Sequence, residues 1–172
     1  MDLQRFVQEV ADFPKEGILF RDISPLLRDS NAWQYALNQL EVFAKSVKPD
    51  LIVGIESRGF IVGSALSSLT KIGFIPVRKS GKLPGHTHFV EYDLEYGKDR
   101  LEIQKNVIQP NSRIVVVDDL LATGGTAKAT TELVSLAGGK IVGYCFIVEL
   151  NELNGRNQLA KLVPIKSLVT YD

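Results

Sequence analysis

The chain has 172 residues, which predicts one domain, residues 1–172, with room for a substantial hydrophobic core. Its 20 Lys and Arg residues equal its 20 Asp and Glu residues, and this zero net charge argues against a strong basic field for nucleic acid. The single cysteine, Cys145, excludes an intrachain disulfide, and the lack of a signal-peptide core or membrane-spanning apolar run predicts a cytoplasmic protein with no membrane segment.

The first predicted elements are a short helix and a short strand. Apolar side chains recur at helical spacing at Leu3, Phe6, Val7 and Val10. This pattern predicts an amphipathic helix that ends at Phe13-Pro14. Residues 18–23 are predicted to be extended, and Ser24-Pro25 ends this piece because a residue before proline avoids the helical region.

Amphipathic and continuously apolar segments then alternate. Helices are predicted at residues 32–47 and 60–69, and strands at residues 51–55 and 73–77. This alternation is typical of an α/β fold with a mostly parallel central sheet flanked by helices and joined by right-handed crossovers. Neither the dinucleotide-binding nor the P-loop glycine pattern is present, which argues against a Rossmann or P-loop nucleotide enzyme.

Residues 78–103 are predicted to form a mobile flap. Residues 78–85 contain three cations, two glycines and a proline, and residues 87–92 and 99–103 alternate loosely as in a two-stranded hairpin. A solvated, charged hairpin is the alternative interpretation. His86 and His88 share a face of the predicted strand, but no third metal ligand is apparent, so we expect no metal role for them.

The most informative stretch is a strand followed by two acids, a small-residue loop and a helix. Residues 114–117 are an uninterrupted β-branched run that ends at Asp118 and Asp119, and residues 127–136 favour a helix that stops at Gly138-Gly139. The loop between them contains Ala122, Thr123, Gly124, Gly125 and Thr126.

This loop predicts an anion site. Its glycines allow a sharp turn close to a ligand, and the free amides and dipole of the following helix favour a phosphate. Thr123 and Thr126 add hydroxyl donors. Asp118 and Asp119 would repel a bare polyphosphate but accept hydrogen bonds from vicinal hydroxyls. The predicted ligand therefore places a ribose on the acids and its 5′-phosphate in the loop.

The C-terminal part adds sheet structure. Residues 141–148 form a continuous apolar run that predicts a strand, residues 151–156 a polar loop, and residues 159–171 contain a last strand. We assign no chemistry to residues 159–171.

The string VVVDDLLATGGTA at residues 115–127 resembles the substrate motif of the type I phosphoribosyltransferases, in the wording of their adenine-specific members. The resemblance implies transfer of a phosphoribosyl group from 5-phosphoribosyl 1-pyrophosphate to N9 of adenine, giving AMP and pyrophosphate in purine salvage. It also implies Mg²⁺ as cofactor, held mainly by substrate and water without direct protein side-chain ligands, and a homodimer. An ordinary strand-to-helix junction is the alternative for a bare Gly-Gly-Thr.

The phrase FPKEGILFRDISPLL at residues 13–27 is similar to the hood that covers the base in this family, which places the hood at about residues 12–27. The resemblance implies that Phe20 stacks on adenine, that main-chain groups of Leu19 and Arg21 read the base edge, and that Leu150 contacts the ring. A core position in a short strand is the alternative for Phe20.

GIESRGF at residues 54–60 and RKSGKLPG at residues 78–85 also resemble family motifs, for pyrophosphate binding and for the start of the flap. The first implies an unusual peptide at Glu56–Ser57, in some members a non-proline cis bond. The pyrophosphate-binding residues implied are Glu56, Ser57, Arg58, Lys79 and Lys82. A surface arginine is the alternative for Arg58, but a cation is disfavoured at a helix start.

LEYGKDRLEIQ at residues 94–104 resembles the family's closing flap and makes Glu95 the candidate acid/base residue. The implied catalytic set is Glu95, Asp118, Asp119 and Arg58. An exposed hairpin-tip carboxylate is the alternative for Glu95.

Two rival functions are disfavoured, because the hood phrase around Phe20 and the LEYGK flap favour adenine and the net charge is zero. The phosphate loop alone does not separate adenine from xanthine, hypoxanthine or orotate, and a nucleic-acid-binding regulator with this fold would need a basic face or an added domain.

Overall fold

Seven strands form one sheet with helices on both faces in the computed structural model, which describes residues 1–94 and 97–172. The strands outside this sheet are β1, Gln8–Ala11, and β2, Leu19–Asp22. The sheet contains β3, Leu51–Ile55; β4, Gly73–Lys79; β5, Thr87–Leu94; β6, Gly97–Gln104; β7, Arg113–Leu121; β8, Lys140–Leu150; and β9, Ile165–Tyr171. The helices are α1, Ser24–Arg28; α2, Ser30–Val47; α3, Arg58–Thr70; and α4, Gly125–Leu136.

The strand order is β5-β6-β4-β3-β7-β8-β9. The five strands from β4 to β9 pair in parallel, whereas β6 runs antiparallel to both β4 and β5. This architecture confirms the predicted α/β fold with a mostly parallel sheet. The predicted flap strands are therefore an extension of the main sheet, since Arg78 and Lys79 of β4 pair with β6.

Strand β7 lies in the interior and has apolar side chains on both faces. Val115 and Val117 pack in the cluster that contains α2 and α3, and Ile114 and Val116 pack in the cluster that contains α4. A strand covered on both faces needs a continuous apolar run rather than alternation. The predicted strand at residues 114–117 is confirmed, but β7 continues through the two acids to Leu121.

The predicted N-terminal helix is wrong. Residues Leu3–Phe6 form one turn of 3-10 helix, and Gln8–Ala11 is strand β1. Strand β1 pairs antiparallel with β2, with Val10 opposite Phe20. The tertiary pairing with β2 outweighs the helical spacing of the four apolar residues, because a short helix is only marginally stable by itself.

Among the described residues, no helix is both long enough and apolar enough to cross a membrane.

Candidate active site

A cavity of about 350 Å³ lies beside the carboxyl ends of β3 and β7, where ligands bind in many open α/β sheets. Three parts of the chain form its wall: the end of β7 with the following loop and helix start, the β3–α3 junction, and the strands β4 to β6. Its lining residues are Glu56, Arg58, Lys79, Tyr92, Asp99, Leu101, Asp118, Asp119, Leu120, Leu121, Ala122, Thr123, Gly124, Gly125, Thr126 and Ala127.

The loop after β7 leads directly into the N-terminus of α4, as the sequence predicts. Helix α4 begins at Gly125, and Gly124 precedes it with φ +85°, a conformation that favours glycine. No side chain caps this helix start. The first amides of a helix lack partners within the helix, so here they are available to an anion in the cavity.

Asp118 and Asp119 lie next to this loop, and both line the cavity. Asp119 is 4% exposed and Asp118 is half-buried. Burial and the negative charge of Asp119 raise the pKa of Asp118 well above its ordinary value. Burial also raises the pKa of Asp119, and the nearby Arg58 guanidinium opposes this shift. The protein therefore holds two acids close together in a place that disfavours their charge.

Arg58 lies between Asp119 and Phe20 of strand β2. Its Nε lies 2.8 Å from Asp119 Oδ2, and its guanidinium carbon lies 4.9 Å from the centre of the Phe20 ring. About a third of the Arg58 side chain is exposed and faces the cavity, although Arg58 begins α3, where the helix dipole disfavours a cation. Its negative partner at Asp119 offsets this cost.

The peptide bond between Glu56 and Ser57 is cis, which confirms the unusual peptide that the resemblance implied here. The Glu56 carboxylate accepts a hydrogen bond from the Lys79 amide at 2.8 Å and pairs with the side chains of Arg78 and Lys82. Burial acts to raise the pKa of Glu56, but the hydrogen bonds from these residues outweigh it and the pKa lies below its ordinary value.

Known proteins share both the sequence and the fold. The sequence matches the phosphoribosyl transferase domain family over residues 22–167. An adenine phosphoribosyltransferase of Prochlorococcus marinus (strain MIT 9313) is 59% identical over 171 residues, which is 99% of either chain. The crystal structure of adenine phosphoribosyltransferase from Thermoanaerobacter pseudethanolicus has a TM-score of 0.95 and 44% identity, over 99% of this chain and 98% of that one.

The chain belongs to the adenine phosphoribosyltransferase family. A further member, the Saccharomyces cerevisiae enzyme in complex with an imino-altritol bisphosphate and adenine, has a TM-score of 0.92 and 40% identity, with 97% of this chain and 96% of that chain covered.

The cavity brings together most of the residues that the phosphoribosyltransferase resemblance implied for the sugar and pyrophosphate. All seven predicted ribose and 5′-phosphate residues line it, as do Glu56, Arg58 and Lys79. Ser57 and Lys82 do not line it, although Lys82 is held at its edge by Glu56. Glu95 lies outside the described residues.

The residues predicted to bind adenine do not line this cavity. Phe20 adjoins it through Arg58, whereas Arg21 forms an ion pair with Glu9 and stacks on Tyr171, 3.9 Å from its ring centre. Leu150 is the β8 partner of Tyr171. Thus Arg21 and Leu150 both adjoin Tyr171 of β9, while Phe20 adjoins Arg58.

Tyr92 and Asp99 line the cavity but were not predicted from the sequence as site residues. The Tyr92 hydroxyl donates to Asp99 Oδ2 at 3.2 Å, and Lys79 Nζ lies 3.0 Å from the same oxygen. They stand opposite each other in the β5–β6 hairpin. The hairpin register was a usable signal, because strands predicted at residues 87–92 and 99–103 already place these two ends together.

The close approach of Asp118 and Asp119 predicts a pH-dependent gain in stability when Asp118 is replaced by Asn. The folded protein raises the pKa of Asp118 above its unfolded value, so folding favours the protonated acid and stability falls as the pH rises through this range. At neutral pH we expect Asp118→Asn to raise the Tm by about 2–4 °C, equivalent to about 1 kcal/mol. Thermal unfolding measured from about pH 4 to about pH 7 tests this expectation.

The gain should shrink toward the acid end, because the wild-type carboxyl is then protonated as well. The exposed Glu152 provides the control, since Glu152→Gln should leave the Tm unchanged. A lower Tm for Asp118→Asn at neutral pH would contradict this account of the pair.

Proposed function

We propose that this chain transfers the phosphoribosyl group from 5-phosphoribosyl 1-pyrophosphate to N9 of adenine. The bond between the anomeric carbon and the pyrophosphate oxygen breaks, a bond to N9 forms, and N9 loses its proton, which gives AMP and pyrophosphate. The observation that supports this most is the helix-start anion loop directly beside twin acids in one cavity, in a chain whose full-length relatives are named adenine phosphoribosyltransferases.

The loop of residues 122–126 holds the 5′-phosphate in this proposal. The amides at the start of α4 donate to phosphate oxygens, and the hydroxyls of Thr123 and Thr126 add donors. Asp118 and Asp119 accept hydrogen bonds from the ribose hydroxyls and lie near the anomeric carbon. Because positive charge develops on the sugar as the bond breaks, fixed negative groups stabilise the transition state more than the ground state.

The cations around Glu56 receive the leaving pyrophosphate. Arg58 and Lys79 line the cavity, and Lys82 adjoins it. All three are already paired with carboxylates, Arg58 with Asp119, Lys79 with Asp99 and Lys82 with Glu56. These pairs restrict the cations before substrate arrives, so less side-chain freedom is lost when pyrophosphate oxygens take over as partners.

Mg²⁺ is the cofactor in this proposal, with substrate oxygens and water as its main ligands. Within residues 1–94 and 97–172, no group of three His, Cys, Asp or Glu side chains is arranged to hold a metal ion. Four carboxylates line the cavity, and three of them already have cationic partners: Asp119 with Arg58, Asp99 with Lys79, and Glu56 with Arg78 and Lys82. These residues would leave Mg²⁺ mainly to substrate oxygens and water, which suits a hard cation that keeps several waters. When bound, Mg²⁺ neutralises charge on the pyrophosphate.

The base site is proposed at the hood. Phe20 presents an aromatic face beside Arg58, and main-chain groups of Leu19 and Arg21 read the edge of adenine, with Leu150 against the ring. Stacking accepts any purine, so hydrogen bonds to the edge must give the discrimination. The structure of the Giardia lamblia relative is described as a complex with 9-deazaadenine, which supports adenine over the other bases. We also propose a cytoplasmic homodimer.

The direct test is AMP formation by the purified protein. Adenine, hypoxanthine, xanthine and orotate are each supplied with phosphoribosyl pyrophosphate, with Mg²⁺ and then with a chelator. Of the four bases, we expect only adenine to give product, and only when Mg²⁺ is present. Turnover of another base at a comparable kcat/KM would contradict the proposed specificity.

Glu95 is proposed to exchange a proton with an imidazole nitrogen of the purine. We expect Glu95→Gln to lower kcat by about 100-fold or more, because general acid–base catalysis typically contributes at least this much. KM for both substrates should change little. Steady-state kinetics measures both, and Glu91→Gln, an exposed glutamate of β5, is the matched control. Equal losses in kcat and in substrate affinity would instead indicate a structural role.

A further inference from the structure

A short turn that follows β8 packs against the loop of residues 122–126. Residues Gly155–Gln158 form one turn of 3-10 helix after β8. A Cβ atom added at Gly155 would lie 2.2 Å from the Ala122 carbonyl oxygen and 3.1 Å from the Gly124 nitrogen. Such distances leave no room for a side chain, so the backbone of this turn is in contact with the backbone of the loop.

The contact is reciprocal. A Cβ atom added at Gly124 would lie 2.4 Å from the Gly155 carbonyl oxygen and 3.1 Å from Gln158 Cβ. The position of the loop amides therefore depends on where the turn lies. Since short connecting turns on a surface are mobile unless they are tied down, something must fix this one.

An ion pair ties this turn to the sheet. Arg156 lies within the turn, and its Nε and Nη2 donate to the two carboxylate oxygens of Glu149, the second bond measuring 2.6 Å. Ser167 of β9 donates to the same carboxylate at 2.5 Å. Glu149 is 2% exposed and stands opposite Leu121, the last residue of β7 before the loop.

The chemistry of this pair suits a fixed anchor. A two-pronged Arg–carboxylate pair restricts both distance and orientation, which a single hydrogen bond does not. Burial acts to raise the pKa of Glu149, but the hydrogen bonds from Arg156 and Ser167 outweigh it and keep the carboxylate charged at neutral pH. The ion pair between Glu149 and Arg156 is therefore present at neutral pH.

We propose that Glu149 and Arg156 are positioning residues for the 5′-phosphate. They hold the turn Gly155–Gln158 against the loop of residues 122–126 and thereby fix the direction of the loop amides. Neither side chain touches the substrate. The proposal rests on the proposed function only for the identity of the ligand, a sugar 5-phosphate; the mechanical coupling between turn and loop is independent of the reaction.

The first test measures binding without turnover. Ribose 5-phosphate carries the proposed 5′-phosphate and ribose but lacks the leaving group, so its Kd is measured by calorimetry for the wild type and for Glu149→Gln. We expect the Kd to rise about 10-fold in the variant, which corresponds to about 1.4 kcal/mol. The control is Glu152→Gln, the same change at an exposed residue three positions away, which should leave the Kd unchanged.

The second test separates positioning from general loss of stability. Arg156→Lys keeps the charge but loses the two-pronged bond, so we expect a smaller rise in Kd than for Arg156→Met. The double variant Glu149→Gln/Arg156→Met should be no worse than the more severe single variant, because the two residues act as one unit. In steady-state assays, KM for phosphoribosyl pyrophosphate should rise while KM for adenine stays unchanged.

Hydrogen exchange gives a readout that needs no ligand. We expect Glu149→Gln to speed exchange in a peptide covering residues 122–126 while a peptide covering β1 and β2 is unaffected. An unchanged Kd for ribose 5-phosphate together with unchanged exchange in the loop would overturn the proposal, even if the Tm fell. If the wild type bound ribose 5-phosphate but made no AMP, the proposed function would fail. The Kd and hydrogen-exchange measurements would still show whether Glu149 and Arg156 position the loop.

Discussion

Replacing Gly124 with alanine is expected to lower kcat/KM for phosphoribosyl pyrophosphate by about 100-fold, since a displacement of about 1 Å at a binding loop has effects of this size. Gly124 has φ +85°, and an added Cβ would meet the Gly155 carbonyl oxygen at 2.4 Å. Because that atom belongs to the backbone, the loop itself must move. The movement turns the α4 amides away from the 5′-phosphate, so steady-state kinetics should show the loss mainly in KM.

Gly138 provides a matched control at the other end of α4. It has φ +91°, but an added Cβ would have only an ordinary contact, 3.6 Å from the Pro110 Cα. Gly138→Ala should therefore share the conformational cost, about 1–2 kcal/mol of stability, without the effect on KM. If both variants raised KM equally, the loss would come from general destabilisation and the phosphate loop would not be the cause.

Replacing Asp119 with asparagine is expected to lower kcat by about 100-fold, equivalent to about 2.7 kcal/mol of transition-state stabilisation. Asparagine has nearly the same shape, so the change removes mainly the charge that faces the developing cation on the sugar. It also removes the partner of Arg58, which lies 2.8 Å away. Single-turnover measurements at saturating substrate isolate this loss from substrate binding.

Asp50 is the control for this variant. Its carboxylate accepts a hydrogen bond from the Arg113 amide at the opposite end of β7, 2.8 Å away. Asp50→Asn should therefore alter stability at most and leave kcat unchanged. A normal kcat in Asp119→Asn would show that the acid only pairs with Arg58 and takes no part in the chemistry.

The central strand and its acidic end were predictable from local sequence. A run of four β-branched residues at 114–117 requires burial on both faces, and both clusters of the core meet at β7. Acids and glycines directly after such a run mark the edge of the sheet where a ligand binds. The physical signal is local in each case, and the structure places these residues on one cavity.

Features that depend on long-range contacts were not predictable. The apolar spacing at the N-terminus predicted a helix, but Gln8–Ala11 forms a strand because β2 pairs with it. The polar loop of residues 151–156 gave no sign that Gly155 packs against Ala122, which lies more than 30 residues earlier in the chain. The role of Arg156, which follows Gly155, becomes visible only from its ion pair with the buried Glu149.

The most direct test of the account is a crystal structure with phosphoribosyl pyrophosphate and Mg²⁺ bound. We expect the 5′-phosphate on the amides of residues 122–126 and the ribose hydroxyls on Asp118 and Asp119. A bound sugar whose 5′-phosphate lay away from residues 122–126, or whose hydroxyls did not reach these two acids, would contradict it.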